Sequence, residues 1–202
     1  MFNGLIKEIA IVRKYENHIL SLESKYIPNL GDSIAVNGAC LSVTRVYVGG
    51  FEVELSKESR TSLAVENLKE RVHIEPALRY GQRIDGHLMQ GHIDFIGVLE
   101  KICQSENGTD FFISLPKEAM KFVAKKGSIG IDGVSLTVNE VFESSFRLTI
   151  IPLTFKETLF NQYLKGRRIH IESDMFARYL YAQNQTKKEL SWDDVERISF
   201  LY

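Results

Sequence analysis

The chain has 202 residues, 44% of them hydrophobic and 25% charged, with only 4 prolines. That is enough for one large domain or two small ones, each with its own core, and too little proline for long disordered linkers. A formal net charge of -1 gives no basic field to steer toward nucleic acid, so a small neutral or weakly anionic ligand, or another protein, is the expected partner. Two cysteines, Cys40 and Cys103, are not a disulfide framework. The chain opens without a basic, leader-like stretch, and no apolar run approaches the roughly 20 residues of a membrane span. The expectation is a cytoplasmic protein with no membrane or nucleic-acid partner.

Taken in order, the chain reads as two copies of one pattern. Met1-Phe2-Asn3-Gly4-Leu5-Ile6 and the apolar run at 9–12 open the first copy; short β-runs follow at 19–22, 33–36, 41–47, 51–55 and 72–75, each bounded by turn residues. Residues 80–83 form a link. The second copy then opens near Gly86: Leu88-Met89-Gln90-Gly91-His92-Ile93 repeats the first hexapeptide, and Ile96-Gly97-Val98-Leu99 repeats the apolar run. One helix is expected at 118–125, just after Pro116. Gly127, Ser128, Ile129 and Ile131 echo Gly31, Ser33, Ile34 and Val36, and Ile169-His170-Ile171-Glu172 returns Val72-His73-Ile74-Glu75. The domains are therefore expected at 1–85 and 86–184, with a helix at 185–202. In that last stretch Ser191, Asp193 and Asp194 suit a helix start, and Trp192, Val195, Ile198 and Tyr202 make an apolar stripe. The stripe can pack on a barrel or against copies of itself.

The sharpest repeat is N-G-A-C-L-S-V-T at 37–44, which returns as D-G-V-S-L-T-V-N at 132–139. In each copy a turn pair suited to positive φ feeds a strand. Alternation along that strand puts Cys40, Ser42 and Thr44 on one face and Leu41 and Val43 on the other; copy two sets Ser135, Thr137 and Asn139 against Leu136 and Val138. The apolar face suits a barrel core. The matched polar row exceeds what solubility asks, and it is the candidate site.

Other constellations have plainer readings. His87 and His92 in G-H-L-M-Q-G-H fall on different faces in a strand or a helix and lack a completing cluster, so no metal is expected. His92, preceded by Gly91, is the favoured hydrogen-bonding or proton-carrying histidine. Cys40 is either a reactive thiol or a buried structural one. Asp132 and Asp174 can cap backbone, and Lys126 can be a solvated surface residue.

The blocks M-F-N-G-L-I, N-G-A-C-L-S-V-T, G-H-L-M-Q-G-H-I and K-K-G-S-I-G-I-D-G-V-S-L-T-V, in this order over residues 1 to about 180, resemble the riboflavin synthase family. The resemblance implies an all-β protein of two similar six-stranded Greek-key β-barrels and a C-terminal α-helix that assembles a homotrimer. It implies no cofactor, and a cytoplasmic transferase of riboflavin biosynthesis that dismutates two 6,7-dimethyl-8-ribityllumazine molecules by four-carbon transfer. The products would be riboflavin and 5-amino-6-(ribitylamino)uracil. One lumazine would sit on the N-terminal barrel of one subunit and one on the C-terminal barrel of its neighbour; an association with lumazine synthase also goes with the family. Carried over by position, the catalytic set is Cys40, His92, Ser135 and Phe2. The substrate-binding set is Gly4, Ser42, Thr61, Gly91, Lys126, Asp132, Thr137 and Asp174. The chain departs from the family in having Ser42 where threonine is commoner and in a K-E-S-R-T-S-L block one residue short, which leaves Thr61 or a neighbour as the match. The rival reading is a non-catalytic lumazine or flavin carrier of the same fold; a ligand-free structural trimer would leave the two polar rows without a purpose.

Overall fold

The structure, a computed structural model, describes residues 1–186; the apolar stripe expected at 191–202 lies outside the described residues. Twelve strands form two closed antiparallel barrels. The first contains β1 (Glu8–Glu16), β2 (Ile19–Glu23), β3 (Ser33–Val36), β4 (Ala39–Tyr47), β5 (Gly50–Glu54) and β6 (Arg71–Pro76); the second contains β7 (Phe95–Ser105), β8 (Gly108–Ser114), β9 (Ser128–Ile131), β10 (Val134–Val141), β11 (Ser145–Ile150) and β12 (Arg168–Ser173). The strand order around the first barrel is β1-β2-β5-β4-β3-β6, closed by β6 on β1, and the second has the same order, strand for strand. Even the irregularities repeat: the register slips between Val12 and Lys14 in β1 and between Leu99 and Lys101 in β7, and again between Val43 and Arg45 in β4 and between Val138 and Glu140 in β10. An extra residue at these points raises local twist, which so small a barrel needs to close.

Alternation fills each barrel. Leu20, Leu22, Ile34, Val43, Phe51 and Ile74 point into the first, and Leu99, Phe111, Ile113, Ile131, Phe146 and Ile171 into the second. Truncating such a side chain to alanine costs about 2–5 kcal/mol. Two one-and-a-half-turn helices occupy equivalent crossings, α1 (Lys57–Ser62) and α2 (Pro152–Glu157), and neither was expected from the sequence because six residues are too few for a periodic stripe. The helix expected at 118–125 is instead a single 3-10 turn at Met120–Phe122. Its apolar residues are too few to bury a face longer than one turn. A third helix, α3 (Met175–Thr186), follows β12 directly.

The barrels meet along a seam with approximate twofold symmetry. The turns Asn37-Gly38 and Asp132-Gly133 stand back to back, so close that a Cβ built on Gly38 would lie 2.7 Å from the Gly133 nitrogen, and the reverse is also 2.7 Å. Only glycine fits both this approach and the φ of +85° at each position. Two buried histidines cross the seam. His73 Nδ1–H donates to the Asp132 carbonyl (2.9 Å) while its Nε2 accepts from Leu159 N–H (2.8 Å); His170 Nδ1–H donates to the Asn37 carbonyl (2.7 Å) while its Nε2 accepts from Ala64 N–H (2.9 Å). Each barrel thus satisfies two backbone groups of the other. Burial holds the His73 imidazole below its ordinary value.

Candidate functional site

The site is assembled by two short arms that precede the barrels. Phe2 and Met89 pair as an antiparallel bridge, Phe2 N–H to Met89 O at 2.7 Å and Met89 N–H to Phe2 O at 3.0 Å. From there the arms diverge onto opposite barrels: Gly91 O accepts the Cys40 N–H (2.8 Å) and Gly4 O accepts the Ser135 N–H (2.8 Å). Each polar row is therefore edged by the arm of the other barrel. Contact is intimate, since a Cβ on Gly91 would fall 2.6 Å from Cys40 Cβ and one on Gly4 2.5 Å from Ser135 Cβ. A buried carboxylate holds each arm at its back. Glu75 accepts from Asn3 N–H (2.7 Å) and Gly4 N–H (3.0 Å), and Glu172 accepts from Gln90 N–H (2.6 Å) and Gly91 N–H (2.9 Å). Burial pushes both carboxyls up to about 7, against the pull of those N–H donors in the other direction.

Beside Cys40 opens a groove of about 410 Å³, lined by Ala39, Cys40, Glu58, Ser59, Ser62, Leu63, Gly91, His92 and Ile93. One wall is the first barrel with α1, the other the arm of the second. α1 starts where the Ser56 hydroxyl accepts the Ser59 N–H (3.0 Å), and this cap sets the helix end that faces the groove. Cys40 is half-buried and His92 exposed. On the second row the arrangement differs. His87 lies over Ser135, Nδ1 to Oγ at 2.7 Å, and its Nε2 has no partner among the described residues. Burial holds His87 below its ordinary value, opposed by the nearby Asp174 carboxylate.

The residues singled out from the sequence are distributed as follows. Cys40, Gly91 and His92 meet in the groove; Gly4 and Ser135 meet at the second row. Phe2 is 1% exposed, packed with Met89 and Ala35 between the rows and in contact range of Gly91. Ser42 and Thr137 are exposed, two residues along from Cys40 and Ser135. Thr61 belongs to α1, but its hydroxyl donates to Glu58 O (2.8 Å) and the groove is lined instead by Ser59 and Ser62. Lys126 is exposed at the mouth of β9, with φ of +64°. Asp174 stands near His87, and its carboxylate also accepts the Phe176 N–H (2.8 Å) at the start of α3. Asp132 requires correction as a ligand-binding residue. It is 1% exposed, with one oxygen accepting the His170 N–H (2.7 Å), the other accepting the Tyr163 hydroxyl, and Arg167 at 3.8 Å. Both of its oxygens are engaged inside the seam. Spacing to glycine favours His92, yet it is His87 that lies on Ser135, and Glu75 and Glu172, which stand out in the sequence only as repeated residues, hold the arms.

Two barrels of one design, each lending an arm to the polar row of the other, define an internally duplicated two-barrel protein. The model of the Lumazine binding domain matches residues 3–77 and again 90–174: the chain belongs to the lumazine-binding domain family, with that domain present twice. Riboflavin synthase of Photobacterium leiognathi is 34% identical over 190 residues, covering 89% of this chain and 87% of that protein. Riboflavin synthase of Escherichia coli (strain K12) is 35% identical over 185 residues, covering 86% and 87%; that of Mycobacterium bovis is 36% identical over 193 residues, covering 89% and 96%. Among solved structures, LumP complexed with riboflavin aligns with a TM-score of 0.75 at 20% identity over 86% of this chain and 99% of that one. That likeness is one of fold.

Proposed function

We propose that the protein is a riboflavin synthase, dismutating two molecules of 6,7-dimethyl-8-ribityllumazine into riboflavin and 5-amino-6-(ribitylamino)uracil. The observation that carries this reading is the doubled geometry: Cys40 under Gly91 and Ser135 under Gly4 are the same construction with different reactive groups. A reaction between two identical molecules needs two related cradles and two unlike chemical environments, so that one molecule gives up the four-carbon unit and the other takes it. In this reading a base at one row removes a proton from the C7 methyl of the donor, and Cys40, with His92 beside it, adds to or polarises C7 of the acceptor. Ser42, Thr137, Ser59 and Ser62 offer hydroxyls for ribityl and pyrimidine groups, with Lys126 and Asp174 at the edge of the second row. Binding and orientation supply most of the acceleration, and neither cofactor nor metal enters the scheme.

The two rows belong to one seam, so a productive pair of ligands is proposed to form between the N-terminal barrel of one subunit and the C-terminal barrel of the next, in a cytoplasmic homotrimer. Phe176, Tyr179 and Leu180 on α3 are 61%, 54% and 62% exposed, an apolar face that supports self-association. Association with lumazine synthase is part of the same proposal. A carrier that binds lumazine or flavin without turnover is the second reading, favoured by His87 lying on Ser135 while the Cys40 groove stands open.

The deciding experiment is incubation of the purified protein with the lumazine alone. Flavin absorbance growing over many turnovers supports the enzyme; bound lumazine with no flavin establishes the carrier. Cys40→Ala should lower turnover by about a hundredfold or more while weakening riboflavin binding only a few-fold, and an unchanged rate returns Cys40 to a structural thiol.

A further inference from the structure

We propose that Glu75 and Glu172 are positioning residues of the two ligand rows, each acting on the row of the other barrel; the proposal rests on reading those rows as ligand sites. Glu172 sits on β12 of the second barrel, 1% exposed, and both its oxygens are used: one takes the Gln90 N–H, the other the Gly91 N–H. The peptide so held presents Gly91 O to Cys40 N and leads into His92, so it forms one whole wall of the groove whose other wall is Cys40 and α1. Glu75 on β6 of the first barrel repeats the construction on Asn3, Gly4 and Ser135. Groove width at Cys40 is therefore set by a carboxylate that belongs to the opposite barrel and stands behind the groove wall rather than lining it.

Only a carboxylate does this. Two parallel N–H groups need two acceptors at a fixed spacing, and each bond is strengthened by the negative charge. An amide of the same shape brings one acceptor and an NH2 group that faces a second N–H, leaving that donor buried and unpaired. Aspartate keeps the charge but falls one methylene short. The surroundings are charged but do not replace the clamp: Arg178 lies 3.8 Å from Glu172, binds Gln90 Oε1 at 2.7 Å and pairs with Asp94, whereas Glu75 is faced by the chain's amino terminus.

The crossing makes the proposal testable at a single atom. In protein carrying Cys103→Ser, Cys40 is the remaining thiol, and its rate of alkylation by iodoacetamide reports the groove without any need for turnover. Glu172→Gln is expected to change that rate by about fivefold or more and to weaken protection by riboflavin about tenfold, while Glu75→Gln, whose arm rests on Ser135, leaves the Cys40 rate within about twofold. Where Glu172→Gln does not fold, Glu172→Asp makes the same comparison with the same expected change. Equal effects from the Glu75 and Glu172 variants would mean general loosening and would overturn the proposal, as would no effect from either. If riboflavin does not protect Cys40 even in the Cys103→Ser parent, the ligand reading fails, and the rates without ligand still decide the clamp.

Discussion

The two halves agree in their scaffold and differ in their polar details. Strand order, bulge positions, the glycine turns, the crossing histidines and the clamping glutamates occur twice. The seam turn is Asn37 in one copy and Asp132 in the other; the row residue is Cys40 in one and Ser135 in the other; the arm carries Leu5 over one row and His92 over the other. His87 adds a ring over the second row, bonded to Ser135. Duplication has kept what closes a barrel and let the polar rows diverge. Two unlike environments on one symmetric frame follow from that division.

The seam is where the comparison can be broken hardest. Asp132 is supported by Tyr163 and Arg167, but the first half has Leu68 closing the equivalent turn and Glu70 where Arg167 stands. Asn37→Asp would place a second carboxylate at a site 0% exposed, with no cation set against it among the described residues, and the expected loss is about 3–5 kcal/mol in urea denaturation. The mirror change, Asp132→Asn, keeps the acceptor for His170 N–H and loses the charge beside Arg167, for about 2–3 kcal/mol. Equal losses from the two variants would show that Tyr163 and Arg167 do not distinguish the halves.

The clamps give a smaller, pH-dependent signature. Glu75 and Glu172 have folded values raised from 4.5 to about 7, so their contribution to stability is fully present below the unfolded value and is lost as pH rises through about 7. His73 and His87 are lowered from 6.5 by burial, so theirs is present above about 6.5 and is lost as pH falls through their folded values. As pH rises from about 4.5 to about 7 the glutamates should therefore lower stability, levelling off above that, while the histidines lower it as pH falls below about 6.5. Urea midpoints for the double variant Glu75→Gln, Glu172→Gln should lose the decline with rising pH between about pH 4.5 and about pH 7 and keep the histidine loss toward acid. Persistence of the former would assign it to other groups.

Much of the architecture was readable because duplication leaves a mark in the sequence that packing does not erase. Five short runs in the first copy, their echoes in the second, the turn pairs and the alternation at 37–44 and 132–139 locate barrel strands with little ambiguity. Gly91, His92 and Cys40 were legible as candidates because they sit in the repeated blocks, and they line one groove. Asp132 misled because its place in the row motif resembles that of a ligand contact, while its partners Tyr163 and Arg167 lie some 30 residues later and are joined to it only by the fold. Glu75 and Glu172 were visible as repeated residues, yet their work depends on arms that cross between barrels. Nothing in the local pattern announces such a crossing. The short helices fell below the length at which periodicity speaks, and the 3-10 turn at Met120–Phe122 was over-read from the proline ahead of it.

The smallest expected effect separates the two short helices. α1 has a side-chain cap, Ser56 Oγ to Ser59 N–H at 3.0 Å, and sends Glu58, Ser59 and Ser62 into the groove; α2 has no side-chain cap and relies on Pro152 in its first turn. With only six residues, α1 cannot hold its own ends by cooperativity. Ser56→Ala should cost about 1 kcal/mol of stability, most of it local, and because the frayed end carries Ser59, riboflavin affinity should fall about two- to fivefold in a fluorescence titration. If affinity is unchanged while stability drops, α1 is part of the scaffold alone, and the groove owes its selectivity to Cys40 and the arm that faces it.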